Sequence, residues 1–235
     1  MQDLSGAFSE AFRLITSLDA GLLEIIGLSL RVSLTAVAIA ALIGLPLGAA
    51  IATSRFPGRS LVILVLNALM ALPPVVVGLL VYLLLSNAGP MGSFQLLYTP
   101  AAMIIAQTVL VTPIIAALTR QSVEDLHSEY DEQLRALGVS ARGQASTLLY
   151  EARFSLLTAL LAGFGRAIAE VGAVMIVGGN INHVTRTMTT AIALETSKGE
   201  LALALGLGLV LVAIAIAVNA LVMTLRSGQH FAAYA

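Results

Sequence analysis

Long uncharged apolar runs alternate with short polar segments along this chain, and the runs are long enough to cross a bilayer. Val32 to Ala52 carries no formal charge, and Ser60 to Thr119 carries neither a charge nor a histidine. At 1.5 Å of rise per residue, about 20 apolar residues cross roughly 30 Å of hydrocarbon. The pattern predicts five spans, over about 29–52, 61–85, 101–118, 154–177 and 201–225. Backbone groups in lipid must be paired within the segment, so each span is expected to be a helix. Ahead of them, Leu4, Phe8, Ala11, Phe12, Ile15 and Leu18 recur at helical spacing, with Glu10, Arg13 and Ser17 elsewhere. That predicts an interfacial helix within residues 1–20, lying on the bilayer, with a short unstructured tail as the alternative.

The one long polar interruption is 120–153, which holds ten of the chain's 25 formally charged side chains. Leu126, Tyr130, Leu134 and Leu137 fall at i, i+4, i+8 and i+11, one apolar stripe of a short helix that Gly138 stops. A second stripe runs through Ala145, Leu148, Leu149 and Ala152. Two amphipathic helices joined at a glycine read either as a solvated link between spans or as a stiff lever seated on another protein. The basic residues fix the expected side. With 120–153 in the cytoplasm, the inner loops hold Arg55, Arg59, Arg120, Arg135, Arg142, Arg153 and Arg226, against Arg13, Arg186 and Lys198 outside. The positive-inside rule therefore places the N-terminus outside and the C-terminus in the cytoplasm.

Composition agrees: 58% of the 235 residues are hydrophobic and 11% charged, where a soluble domain is about a quarter charged. The whole of 1–235 is expected to be one integral membrane domain. The net charge of −1 is dispersed, giving no patch for nucleic acid, and with no cysteine there is neither disulfide nor thiolate metal site. The N-terminus lacks the basic start and apolar core of a cleavable signal, so the first span is expected to direct insertion as well.

EQLRALG at Glu132 to Gly138 resembles the cytoplasmic signature of ABC importer permeases, in which a glutamate precedes a glycine by six positions, and Leu148 matches the hydrophobic position ten residues on. Gln133 and Leu134 stand where that signature has two alanines, and Tyr150-Glu151 where it has Leu-Pro. ALPPVVVGLL at 71–80, GRAIAEVGAVMIVGGNI at 165–181 and the following TRTMTTAIALETSKGE are similar to molybdate and tungstate permeases, and YEARFSL at 150–156 is nearer the tungstate branch. The resemblance implies the all-α transmembrane domain of a type I importer that moves an oxyanion, tungstate first, molybdate or sulfate next. It implies two copies of the chain, a cytoplasmic ATPase dimer and an external binding protein. It also implies that Asp131, Glu132, Gln133, Leu134, Arg135, Ala136, Leu137 and Gly138 form the ATPase-coupling element. The chain has no glycine-rich phosphate loop, so no cofactor is expected on it, and ATP and magnesium belong to the partner. An autonomous secondary transporter or channel is the alternative class.

Within the spans, Arg166 and Glu170 stand four apart, where one helix would pair them. They are expected either to brace the packing or to line the path. Pro73 and Pro74 remove two helical hydrogen bonds midway along the second span, which predicts local unwinding there. With Gly78 and Pro113 they are candidates for a pore or gate. The segment 178–200 reads as an external polar loop, with Asn180, Asn182, His183 and Arg186 as candidate contacts for the binding protein. His183 has no second ligand at metal spacing, so no metal is expected.

Overall fold

The computed structural model describes residues 9, 12, 13, 16, 17 and 19–232, with backbone alone for 135, 141, 142 and 225–232. The interfacial helix expected over 4–18 lies largely outside them. The described chain runs α1 (Ala20–Thr53), α2 (Arg59–Met70), α3 (Pro74–Leu85), a 3-10 turn (Gly92–Phe94), α4 (Pro100–Ala136), α5 (Ala141–Glu151), α6 (Arg153–Ile168), α7 (Gly172–Gly178), α8 (Met188–Lys198) and α9 (Leu201–Ala232). No strand occurs among the described residues. Three of these helices, α1, α4 and α9, are long and apolar enough to cross a membrane on their own. The count rises to five when α2 with α3, and α5 with α6, are each taken as one broken span.

The unwinding expected at the paired prolines is present, and three other expectations change. The second span is two helices, because Pro73 biases Leu72 away from helical backbone and Pro74 can start a helix without its missing N–H. Ala71 and Leu72 close α2 with tight bonds to the carbonyls of Ala68 and Leu69. The fourth span is also broken, between Ile168 and Gly172. The third span does not stop near residue 118. It continues to Ala136, so the first amphipathic helix of the polar segment is the end of a 37-residue helix rather than a separate short one. The segment 178–200 is largely helical, since α8 buries Met188, Thr189, Thr190, Ala191 and Glu195.

Contacts gather the chain into two compact units. The first comprises the described residues up to Thr35, Pro74–Gln107 and the described residues from Ile168 onward. In it α3 packs along α7, and α8 along α9. Gly78 permits the first contact: a Cβ there would lie 2.7 Å from the Cα of Ala173. Met188 N–H donates to Ser29 Oγ at 2.8 Å, binding the start of α8 to the early part of α1.

The second unit comprises Ala36–Pro73 and Thr108–Ala167. Here the later turns of α1 lie on α4 at backbone distance, because Gly44 and Gly48 carry no side chain; small residues let membrane helices approach in this way. A Cβ on Gly48 would sit 2.5 Å from the carbonyl oxygen of Ala116. Ala40, Val111, Ile115 and Ala167 form one apolar cluster, and Ile51, Leu66, Ala116 and Ala117 a second.

Candidate functional site

The polar segment folds into an elbow. α4 ends with Leu137 N–H on the carbonyl of Gln133 and Val139 N–H on that of Leu134, both at 3.0 Å. The second is the bond of a Schellman cap, and it requires the left-handed backbone of Gly138 at φ +69°. Ser140 then caps α5, its Oγ accepting from Gly143 N–H at 3.3 Å, and Gln144 Nε2 donates back to the Val139 carbonyl. After the single residue Ala152, the chain enters α6 at Arg153 with a 75° turn. Arg153 holds that corner, its guanidinium over the rings of Tyr150 and Phe154 at 4.3 and 4.7 Å.

The apolar stripes close the elbow. Leu134 packs with Leu148, Ala152, Val123 and Leu156, and Leu126, Tyr130, Val139, Ala145 and Leu149 rest against that cluster. Leu137 departs from the expected stripe: it follows the last helical residue and is 77% exposed. Tyr130, Gln133, Leu137, Thr147 and Glu151 line a groove of about 230 Å³ floored by Leu134 and Leu148. Glu132, Gln133, Ala136 and Gly138 face outward, and Asp131 is half-buried. Exposed Leu137 and Tyr150 beside a buried leucine pair make a surface able to seat against another protein.

Below the elbow, a charged cluster absent from the sequence reading joins α2 to α4. Arg59 Nε donates to the Ile51 carbonyl at 2.9 Å, and its Nη2 to Glu124 Oε1 at 2.7 Å. Arg120 Nη1 donates to the other oxygen, Glu124 Oε2. The hydrogen bond from Arg59 is the largest influence holding the Glu124 carboxyl below the usual carboxylate range; partial burial works against it, and the charges of Arg59 and Arg120 add to the lowering. Arg120 and Glu124 are spaced i, i+4 and could have been paired from sequence. Arg59, 65 residues from Glu124, carried no such signal.

The remaining candidates separate. Arg166 lies in the last turn of α6, and Glu170 lies past the end of that helix, so one unbroken helix does not carry both. Glu170 is buried and caps α7, its Oε1 accepting from Ala173 N–H at 3.1 Å, while its carbonyl accepts from Thr189 Oγ1 at 2.7 Å. Gly78 and Glu170 meet through Ala173: the glycine makes the α3–α7 approach possible and the carboxylate fixes the start of α7. Pro74 begins α3, Pro73 stands exposed in the break before it, and Pro113 is accommodated within an unbroken α4.

On the 178–186 turn, His183 Nδ1 lies 2.7 Å from Glu24 Oε2. Asn182 is exposed. Asn180 Nδ2 donates to the Thr190 carbonyl at 3.4 Å. Arg186, half-buried, lines a small cavity with Glu24 and His183. Glu195, also missed from sequence, is buried beside Lys198 Nζ at 3.1 Å.

Long apolar helices, a span broken at paired prolines and a polar elbow between helices define a multi-span membrane protein. Residues 44–227 match the family described as "binding-protein-dependent transport system inner membrane component", and the chain belongs to it. Its fold is thus that of a type I ABC importer transmembrane domain, a channel-forming permease rather than an enzyme, working in a system with an ATPase and a binding protein. It is 43% identical over 205 residues, 85% of its own length and 88% of the relative's, to a protein of Haloferax volcanii called a probable anion ABC transporter permease protein. It is 43% identical over 226 residues, 96% of its length and 99% of the relative's, to a tungstate uptake system permease protein of Peptoclostridium acidaminophilum. A sulfate transport system permease protein of Escherichia coli strain K12 is more distant, 28% identical over 183 residues, 75% of this chain and 63% of that one.

Proposed function

We propose that this chain is the pore subunit of an ATP-driven oxyanion importer, with tungstate the foremost cargo and molybdate or sulfate next. The near full-length likeness to a tungstate uptake permease supports that order. Two copies form the pore, with the N-terminus outside and the C-terminus in the cytoplasm. Asp131 to Gly138 is the coupling element, and it docks an ATPase that holds ATP and magnesium. The turn from Asn180 to Arg186 meets the binding protein.

The observation that carries the reading is the unbroken run of α4 from its apolar turns into the capped elbow. Closure of the ATPases on ATP draws the elbows of the two copies together. A continuous helix passes that displacement to the membrane without a joint to absorb it. Pro73-Pro74 and the 169–171 break are where the remaining helices can yield. ATP drives the cycle only through its different affinity for the two arrangements. No tight cargo site is required here, because a pore that grips its ion cannot release it.

The test is uptake into vesicles holding the chain with its ATPase and binding protein. Tungstate should accumulate only when all three and ATP are present, and uptake by the chain alone would overturn the proposal. Calorimetric titration of the cognate binding protein with tungstate, molybdate and sulfate decides the cargo.

A further inference from the structure

A second cavity, of about 410 Å³, opens where the end of α1, the turn before α2 and the charged stretch of α4 meet, lined among others by Ser54, Arg55, Arg59, Glu124, His127 and Asp131. Glu124 is committed to Arg59 and Arg120. Arg55 is exposed and has no ion-pair partner among the described residues. His127 lines the cavity with its Nε2 3.9 Å from Asp131 Oδ1, beyond hydrogen-bond length, and its Nδ1 buried with no hydrogen-bond partner among the described residues. Two arginines, Arg55 and Arg59, and two carboxylates, Glu124 and Asp131, line it, and Arg120 adds a third cation through its bond to Glu124. α2 begins at Arg59, and its first turn brings the positive end of a 12-residue helix to the same place.

Three neighbours of the cavity are apolar and exposed. Phe56 lies beside Arg55, and Leu61 and Leu64 follow Arg59 on α2. An aromatic and arginines just before a lipid-exposed apolar helix are the arrangement found at headgroup depth.

We infer that this cavity binds a tetrahedral oxyanion group, either the phosphate of an anionic phospholipid or a free dianion such as sulfate, with Arg55 and His127 as its unshared donors and Arg59 as its floor. The site stands on geometry and charge, apart from the cargo assignment. Asp131, the first residue of the proposed coupling element, shares the cavity wall, so an oxyanion held by Arg55 and His127 would stand off its carboxylate and be felt at the elbow.

The test uses the purified full chain and two probes. Native mass spectrometry reads retention of added phosphatidylglycerol against phosphatidylcholine, and titration calorimetry reads sulfate binding. Arg55→Gln is the informative variant, because Arg55 is exposed and makes no hydrogen bond or ion pair among the described residues, and Arg55→Lys keeps the charge. One probe should bind the wild-type chain and lose about tenfold in Arg55→Gln, the scale of one charge-assisted hydrogen bond, with partial recovery in Arg55→Lys. A loss for phosphatidylglycerol alone assigns the site to lipid, and a loss for sulfate alone assigns it to a free dianion. If neither probe binds, or if both bind Arg55→Gln as they bind wild type, the inference fails.

Discussion

Arg59 and Glu124 stand 65 residues apart in sequence and 2.7 Å apart in space. Through this pair the first turn of α2 is fixed to the portion of α4 that leaves the membrane, and Arg120 holds the second oxygen of the same carboxylate. Because the folded-state pKa of Glu124 is depressed, the stability it contributes is present above the carboxyl's unfolded value and is lost as pH falls through the folded one. Glu124→Gln should lower the Tm in detergent at pH 7. The gap from wild type should narrow steadily below about pH 4.3, where an unperturbed carboxyl protonates. A gap that stayed constant to pH 3 would show that charge contributes nothing here.

Gly48 and Gly165 should answer differently to the same methyl. A Cβ on Gly48 meets the Ala116 carbonyl oxygen at 2.5 Å and Arg120 N at 2.9 Å, backbone atoms that cannot move aside. Gly48→Ala should therefore destabilise by about 1–3 kcal/mol. Gly165 has no atom within 4 Å of the same position, so Gly165→Ala should be neutral or stabilising by up to about 1 kcal/mol. Denaturation of the two variants in one detergent separates the cases.

Leu148 and Leu137 divide folding from docking. Leu148 is 1% exposed in the elbow cluster, and Leu148→Ala should cost about 2–5 kcal/mol. Leu137→Ala should leave Tm unchanged while weakening capture of the ATPase in a pull-down. An unaltered pull-down would remove Leu137 from the docking surface.

At Gly138 a side chain meets open space, with no atom within 4 Å, but must adopt φ +69°. Gly138→Val should strain the cap by about 1–2 kcal/mol and reduce transport at least tenfold while ATP hydrolysis continues. Gly138→Asn, which tolerates left-handed backbone, should retain more transport than Gly138→Val. Normal uptake by Gly138→Val in vesicles would end the coupling role.

What the sequence revealed was local. Gly138 as a helix stop, the prolines at 73 and 74, and the stripe Ala145, Leu148, Leu149, Ala152 are all set within a turn or two of chain. The break after Ile168 was not legible, because IAEVGA contains no proline. It is held by Glu170 capping Ala173 and by Thr189 reaching back from 19 residues away. The threonines, glutamate and lysine of α8 read as a solvated loop in sequence. Met188, Ala191 and Glu195 are buried at i, i+3 and i+7, a face recognisable only once α9 lies against it. Arg59 shows only its sign in sequence, since nothing within a few residues of it points to Glu124.

The uninterrupted screw of α4 has a consequence for evolution as well as for motion. At 3.6 residues per turn, a single residue gained or lost between Thr119 and Leu126 would swing Leu134 about 100° around the axis, away from Leu148, and point the elbow at the wrong azimuth. Seven residues would restore the bearing to within about 20°, while moving the elbow about 10 Å further out. The length of that stretch is therefore an angular setting, and drift in it should be tolerated in heptads or not at all.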